Sequence, residues 1–259
     1  GGGTVLGFSL TGATIPAGDQ LLTNLVIENS DFSEMCIEDA VLSDSFGGQI
    51  DTSIGDCINI PSSQVQVIHN SASPTVDVYV DGALAISGFE YRTATGVLSL
   101  PTSFTVGIAP AGAEDVIAEF PFELEQDSSY VVVATGLLGD DNTPFDLAAT
   151  ATTFGASSTD VVGLEVYHGS TDAPTVDILS DANAGSVLVS DLYYGSFSGY
   201  VEVPAADYTL GVAPTGAAAI AAFTAPLSGL GGGSAVAFAS GFLSGDDPAF
   251  GVFAALADG

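Results

Sequence analysis

The chain carries one unit of sequence twice. The segment VIHNSASPTVDVYVDG, which begins at Val67, returns as VYHGSTDAPTVDILSDA from Val166. Further matches follow in the same order, among them FTVGIAPAGA from Phe104 and YTLGVAPTGA from Tyr208. A duplicated unit that has gained only small loop insertions predicts two folded copies with the same architecture.

Each copy has the two-residue period of a β-strand. Val76, Val78 and Val80 alternate with polar neighbours, which is typical of a half-buried strand. An Asp-Gly pair follows at Asp81, and glycine or proline recurs about every ten residues, as in β-sandwiches. We therefore predict an all-β fold of tandem Ig-like antiparallel β-sandwiches.

Three domains follow from this pattern. Residues 62–150 form the first sandwich repeat and residues 160–259 the second, with a threonine-rich linker from Ala149 to Asp160. Residues 1–61 remain as a small N-terminal β domain. At 259 residues and 47% hydrophobic content, the chain can fill several cores.

The charge balance excludes two classes of partner. A single basic residue, Arg92, stands against 32 acidic ones, for a formal net charge of −31. Such a chain repels nucleic acids and anionic membranes, and cations are its natural counterions. The apolar runs are shorter than the roughly 20 residues that a membrane helix requires, so we predict no membrane span.

Both cysteines fall in the N-terminal domain. Cys36 and Cys57 lack the Cys-x-x-Cys spacing and have no nearby histidine, which favours a disulfide over a metal site. A disulfide indicates an oxidising compartment. We therefore predict a secreted or extracellular protein, which begins without Met and is interpreted as a processed or partial chain.

The repeated histidine and aspartate are the residue types of active sites, yet their surroundings favour structural roles. No second histidine, cysteine or paired base accompanies His69 or His168 within its motif. We predict that both rings bond backbone groups of their own loops. Asp77 and Asp177 are predicted to accept loop hydrogen bonds in the same way.

Acidic turns near the end of each copy are candidate calcium ligands. They comprise Asp140, Asp141 and Asn142 in the first copy and Asp246 and Asp247 in the second. Clustered oxygen atoms in a tight turn suit calcium, although the spacing differs from an EF-hand loop and solvated acidic turns are common. Calcium is therefore the one candidate cofactor.

The sequence gives little support for an enzymatic function. Glu119, Glu123 and Glu125 could supply paired carboxylates for a glycosidase, but an acid-rich chain produces such clusters by chance. No Gly-x-Ser-x-Gly elbow occurs. We predict that the protein is not an enzyme. Because Asn-x-Ser/Thr is absent, any glycan is predicted to be O-linked.

The repeated motifs resemble those of a known family. The pattern H-x-S-x-x-x-P-x-V-D, followed by G-[VY]-[LV]-x-[LV]-P and [FY]-T-[VL]-x-[VI]-A-P-x-G, is similar to the extracellular domain of unknown function numbered forty-three ninety-seven. Two copies span about residues 64–150 and 163–255. The resemblance implies β-sandwiches displayed outside bacterial or archaeal cells, and it supplies no catalytic residues.

The N-terminal segment resembles the latter half of cohesin-like β-sandwich modules. A half module exposes strand edges and an apolar face that another segment or subunit has to cover. Alternation after the three leading glycines marks a candidate assembly strand, comprising Thr4, Val5, Leu6, Gly7, Phe8, Ser9 and Leu10. Strand donation would give this segment main-chain partners in a neighbouring subunit.

Two functions remain open. The first is an extracellular structural protein, a subunit of a surface fibre or surface layer that assembles with itself head to tail by β-strand complementation. The alternative is a cell-surface adhesin or carbohydrate-binding module that recognises a ligand through its loops. The absence of Trp from the sequence disfavours sugar binding by flat stacking.

Overall fold

The structure is a computed structural model that describes residues 34–37, 40–44, 46–59, 61–113, 115–183 and 185–259. Its described residues form 21 strands and no helix, which confirms the all-β prediction. None of them therefore belongs to a helix long and apolar enough to cross a membrane. Contacts divide the chain into two compact units, Gly1–Ile60 and Pro61–Gly259. The predicted assembly strand, residues 4–10, lies outside the described residues.

The described part of the first unit contains four short strands: β1 (Glu34–Met35), β2 (Leu42–Ser43), β3 (Gln49–Ile50) and β4 (Ile58–Asn59). Strand β1 pairs with β4 and β2 with β3, both antiparallel. Cys36 and Cys57 are joined by a disulfide with an S–S distance of 2.05 Å, which confirms that prediction. The bond fastens the chain beside the β1–β4 pair.

The second unit contains both copies of the repeated sequence. We call residues 61–152 repeat 1 and residues 161–259 repeat 2. The strands of repeat 1 are β5 (Ser62–His69), β6 (Val76–Val80), β7 (Ala83–Phe89), β8 (Thr93–Ala94), β9 (Leu98–Pro101), β10 (Ser103–Pro110), β11 (Ala118–Glu123), β12 (Ser129–Thr135) and β13 (Asp146–Thr152).

Repeat 2 follows the same plan. Its strands are β14 (Val161–His168), β15 (Val176–Leu179), β16 (Val187–Leu192), β17 (Val201–Pro204), β18 (Asp207–Pro214), β19 (Ala221–Pro226), β20 (Ser234–Ser240) and β21 (Gly251–Leu256). Strand β13 continues two residues past the predicted end of the first domain, so the connection is shorter than the predicted linker. Alternating Ala and Thr favour a strand there because β-branched side chains suit a pleated sheet.

Each repeat is a sandwich of two sheets. In repeat 1 the outer sheet has the order β11-β10-β6-β7, and the inner sheet has the order β13-β12-β5-β8 with β9 also paired to β5. In repeat 2 the outer sheet is β16-β15-β18-β19 and the inner sheet is β17-β14-β20-β21. The two architectures therefore match strand for strand, except that β8 has no named counterpart.

One strand pair in each repeat departs from the predicted antiparallel arrangement. Strands β5 and β12 are parallel, and so are β14 and β20. Parallel neighbours need a long crossover connection. Here the connection includes every strand of the outer sheet and also passes through the inner sheet, at β8 and β9 in repeat 1 and at β17 in repeat 2. Simple alternation cannot reveal this, because it has the same period in both orientations.

The predicted alternation fills the sandwich interiors. In repeat 1, Val76 and Val78 pack with Ile108 and Phe104 in one buried cluster. In repeat 2, Val176 and Ile178 pack with Val212 and Leu164. The inward row on β6 and β15 therefore has the same role in both copies.

A further hydrophobic core lies between the repeats. It joins side chains on the far face of each inner sheet, and we call it the shared core: Ile68, Val131, Val133, Tyr167, Val236, Phe238 and Ala255. The inner sheet of repeat 1 thus packs on its own outer sheet with one face and on repeat 2 with the other. The tandem repeats form one body of four sheet layers.

Candidate functional site

The first motif histidine lies at the end of β5 and closes the loop that follows. His69 Nε2 donates to Pro74 O at 3.2 Å, and His69 Nδ1 accepts from Ser71 N at 3.4 Å. The side chain is 1% exposed, and this burial lowers the pKa of its imidazole. The ring is therefore neutral, with both nitrogen atoms engaged by its own loop.

The second motif histidine occupies the same place at the end of β14. His168 Nε2 donates to Pro174 O at 3.0 Å, and burial lowers the pKa of this imidazole as well. His168 Nδ1 is buried without a hydrogen-bond partner among the described residues. A ring that is closed off from solvent in this way is poorly placed to take a proton from a substrate.

The motif aspartates each hold two separate segments of their outer sheet. Asp77 accepts from Gly88 N on the edge strand β7 at 2.7 Å and from Gly112 N in the turn after β10 at 2.8 Å. Asp177 accepts from Asp191 N at 2.9 Å and Gly216 N at 3.1 Å. These backbone donors lower the pKa of both carboxyl groups.

The motif serines complete the set. Ser71 Oγ donates to Gly136 O at 2.8 Å, and Ser170 Oγ donates to Gly241 O at 2.7 Å. In repeat 2 the extra residue Asp172 also accepts from Leu243 N at 2.7 Å. Histidine, serine and aspartate side chains thus bind backbone groups of their own repeat, and the bonds of the ring Nε2, the serine hydroxyl and the aspartate carboxylate recur in both copies.

The acidic turns form local hydrogen bonds. Asp140 Oδ1 accepts from Asn142 N at 2.7 Å and from Thr143 N at 2.9 Å, and these bonds lower the pKa of the Asp140 carboxyl. Asp246 accepts from Ser244 Oγ at 3.1 Å. In the part of the chain that the structure describes, no three or more His, Cys, Asp or Glu residues are grouped as metal ligands. Calcium stays a prediction.

The three glutamates considered for hydrolysis lie at the edge of repeat 1. Glu119 and Glu123 are exposed on strand β11, and Glu123 accepts from Ser103 Oγ at 2.7 Å. Glu125 lies just beyond the strand and is also exposed. All three carboxyl groups therefore lie in open positions on the surface of repeat 1.

The only basic residue of the chain binds one repeat to the other. Arg92 Nε donates to Ser240 Oγ at 3.0 Å, and Arg92 Nη2 donates to Ala249 O at 2.6 Å. The guanidinium also lies 4.4 Å from the centre of the Phe253 ring. The alternation and the repeated motifs did not predict this role, although the presence of one Lys or Arg among 259 residues was a signal for it.

The shared core is built from equivalent positions of the two repeats. Repeat 1 contributes small or aliphatic side chains, and repeat 2 mostly aromatic ones: Ile68 corresponds to Tyr167, Val133 to Phe238, Ala94 to Phe197 and Ala148 to Phe253. Large side chains on one face therefore meet small ones on the other. This arrangement fills the space between two sheets that descend from the same sequence.

Each repeat also buries one polar side chain at an equivalent position near this core. Gln66 and Glu165 each stand three residues before the motif histidine, and each is 1% exposed. Gln66 Nε2 donates to Thr95 O at 3.1 Å and to Leu256 O of repeat 2. Glu165 Oε2 accepts from Thr152 Oγ1 of repeat 1 at 3.5 Å, while Glu165 Oε1 has no partner among the described residues.

The fold and the site define a tandem β-sandwich protein in which the repeated polar side chains form hydrogen bonds to backbone groups of their own repeat. The family profile described as domain of unknown function, DUF4397, matches residues 63–161 and 162–248. The chain belongs to this family, and both matched segments confirm the predicted tandem resemblance. A comparison with curated proteins found no match.

Proposed function

We propose that the protein is an extracellular structural protein, a subunit of a surface fibre or layer that assembles with itself. One observation supports this most: the two repeats pack through a shared core into one body, and their repeated polar motif is used for hydrogen bonds within each copy. Such a body suits a load-bearing part, because packed interfaces resist deformation.

The proposed assembly contact is strand donation by residues 4–10 to a neighbouring subunit. Leu6 and Phe8 alternate with Gly7 and Ser9, as a donated strand needs to fill the pockets of an incomplete sheet. A contact of this kind between one end of a subunit and the other end of the next does not close, and it therefore builds a filament. The disulfide supports an oxidising extracellular setting.

The test is electron microscopy of the purified full chain and three variants. Leu6→Asp and Phe8→Asp place a charge on the face that enters the acceptor sheet, so we expect both to abolish polymers. Ser9→Asp adds the same charge on the other face and should leave polymers intact. The circular dichroism spectra of all four proteins should agree, since residues 4–10 lie outside both repeats.

Normal polymers from the Phe8→Asp variant would refute strand donation. Monomers in every preparation, together with saturable binding on a glycan array, would favour the adhesin instead. Electron microscopy of the polymers after treatment with a chelator tests whether assembly needs calcium, for which Asp140 and Asp246 are predicted ligands. Mass spectrometry of native material tests the predicted O-linked glycan.

A further inference from the structure

A single ionisable carboxyl group is buried where the two repeats meet. Glu165 projects from β14 on the same face as Tyr167, beside Val236 of the neighbouring strand β20. Across the interface, its Oε2 accepts a hydrogen bond from Thr152 Oγ1 on β13 of repeat 1. Its Oε1 is buried and has no partner among the described residues.

The equivalent position in repeat 1 is Gln66, a neutral side chain that donates hydrogen bonds. Gln66 donates to Thr95 O in its own repeat and to Leu256 O across the interface. A glutamine and a protonated glutamic acid are nearly the same size, and both can donate a hydrogen bond. An ionised glutamate can only accept, and it carries a charge into the margin of an apolar core.

We propose that Glu165 makes the packing of the two repeats sensitive to pH, because its protonated form suits the interface and its ionised form weakens it. This inference concerns the interface between the repeats and does not depend on the proposed assembly function.

Among the residues that the structure describes, no lysine or arginine side chain is bonded to Glu165 to compensate its charge. Arg92 is engaged with Ser240 and Ala249 of repeat 2. The acidic and other titratable groups on the elements around Glu165 are His69 on β5, Tyr130 on β12, Asp146 on β13, Asp160 before β14, Tyr167 and His168 on β14, Tyr200 and Glu202 at β17, and Asp258 after β21. Burial raises the pKa of Glu165 to about 7, and the backbone of Gly199 and the hydroxyl group of Thr152, which favour the ionised form, partly offset that rise.

The direction of the effect follows from proton linkage. The ordinary pKa of this carboxyl group is 4.5, so between pH 4.5 and about 7 the folded state holds a proton that the unfolded state has lost. The contribution of neutral Glu165 is complete below that window and is lost as the pH rises through it. Across the window, the equilibrium constant for disrupting the interface should increase up to about tenfold per pH unit.

The experiment compares the full-length protein with Glu165→Gln and with a matched control. Glu119→Gln makes the same chemical change on an exposed edge strand. Urea unfolding is followed at pH values from about 4.5 to about 8, in high salt to screen the repulsion among the other carboxylates. Amide hydrogen exchange of β14 and β20 at the alkaline end locates the change.

As the pH rises, we expect the free energy of unfolding to fall by the same amount in the wild type and in Glu119→Gln. In Glu165→Gln it should fall less, because this variant lacks the loss that ionisation of Glu165 causes. At alkaline pH, β14 and β20 should exchange more slowly in Glu165→Gln than in the wild type. Should Glu165→Gln fail to fold, Gln66→Glu tests the same idea, because a second buried carboxyl should steepen the pH dependence. Identical pH profiles for wild type and Glu165→Gln, or an unchanged profile for Gln66→Glu, would overturn the proposal.

Discussion

At the residue scale, the repeated motif combines residues of catalytic type in an arrangement that serves folding. His69 and Asp77 illustrate the point, since every hydrogen bond recorded for their side chains joins a backbone group of repeat 1. The sequence allowed this interpretation because neither motif carries a second base. It could not predict which backbone groups Asp77 binds, because these lie 11 and 35 residues away in the chain.

Arg92 offers a prediction at this scale because its backbone is left-handed, with φ of 65°. The equivalent residue in repeat 2 is Gly195, whose N–H bonds His168 O just as Arg92 N bonds His69 O. Arg92→Ala should destabilise the protein by about 2 to 4 kcal/mol, since it removes the bonds to repeat 2 and retains the backbone strain. Arg92→Gly removes the same bonds and relieves the strain, so it should cost about 1 kcal/mol less.

Urea unfolding of the three proteins measures this difference. Arg92→Lys serves as the control for charge, because lysine keeps the positive charge and lacks the planar fork of donors. Equal stability for Arg92→Ala and wild type would contradict the assigned role of Arg92 in joining the repeats.

At the element scale, the strands of the repeats were predictable and their partners were not. Alternation on β6 marked the strand and its buried face correctly, because one face of the sheet packs on a core. Strand β5 was harder, because both of its faces are buried: Val67 packs toward repeat 1 and Ile68 toward repeat 2. A strand with two buried faces loses the simple alternation on which such a prediction rests.

We expect the short strands described in the N-terminal unit to depend on the disulfide beside them. Paired strands of two residues each form few hydrogen bonds, and the disulfide closes a loop of 21 residues beside one of those pairs. Replacing both Cys36 and Cys57 by serine should destabilise this unit by about 3 kcal/mol through the entropy of the unfolded chain.

Limited proteolysis provides the measurement for the disulfide variant. We expect rapid cleavage between residues 34 and 59 in the double serine variant and in reduced wild type, with slow cleavage within the repeats. Protection of residues 34–59 equal to that of oxidised wild type would show that the disulfide contributes little to this unit.

At the scale of the whole molecule, the duplication explains both the resemblance of the repeats and their differences. The matching motifs predicted two sandwiches, and the structure has two. The shared core was not predictable, because it depends on how the duplicated faces diverged: aromatic residues such as Tyr167 and Phe238 in one copy meet Ile68 and Val133 in the other. The difference between aromatic and aliphatic side chains can be interpreted only once the inner sheets of the two repeats are known to be in contact.

The central claim is that repeats 1 and 2 fold as one body through this core, and amide hydrogen exchange after a single truncation tests it most directly. Ile68 is fully buried in the shared core, so Ile68→Ala should cost about 2 to 5 kcal/mol. Val78→Ala is the control, because Val78 packs inside repeat 1 alone. We predict that Ile68→Ala accelerates exchange in β14 and β20 of repeat 2, whereas Val78→Ala has a smaller effect there. Unchanged exchange in repeat 2 after Ile68→Ala would contradict the account.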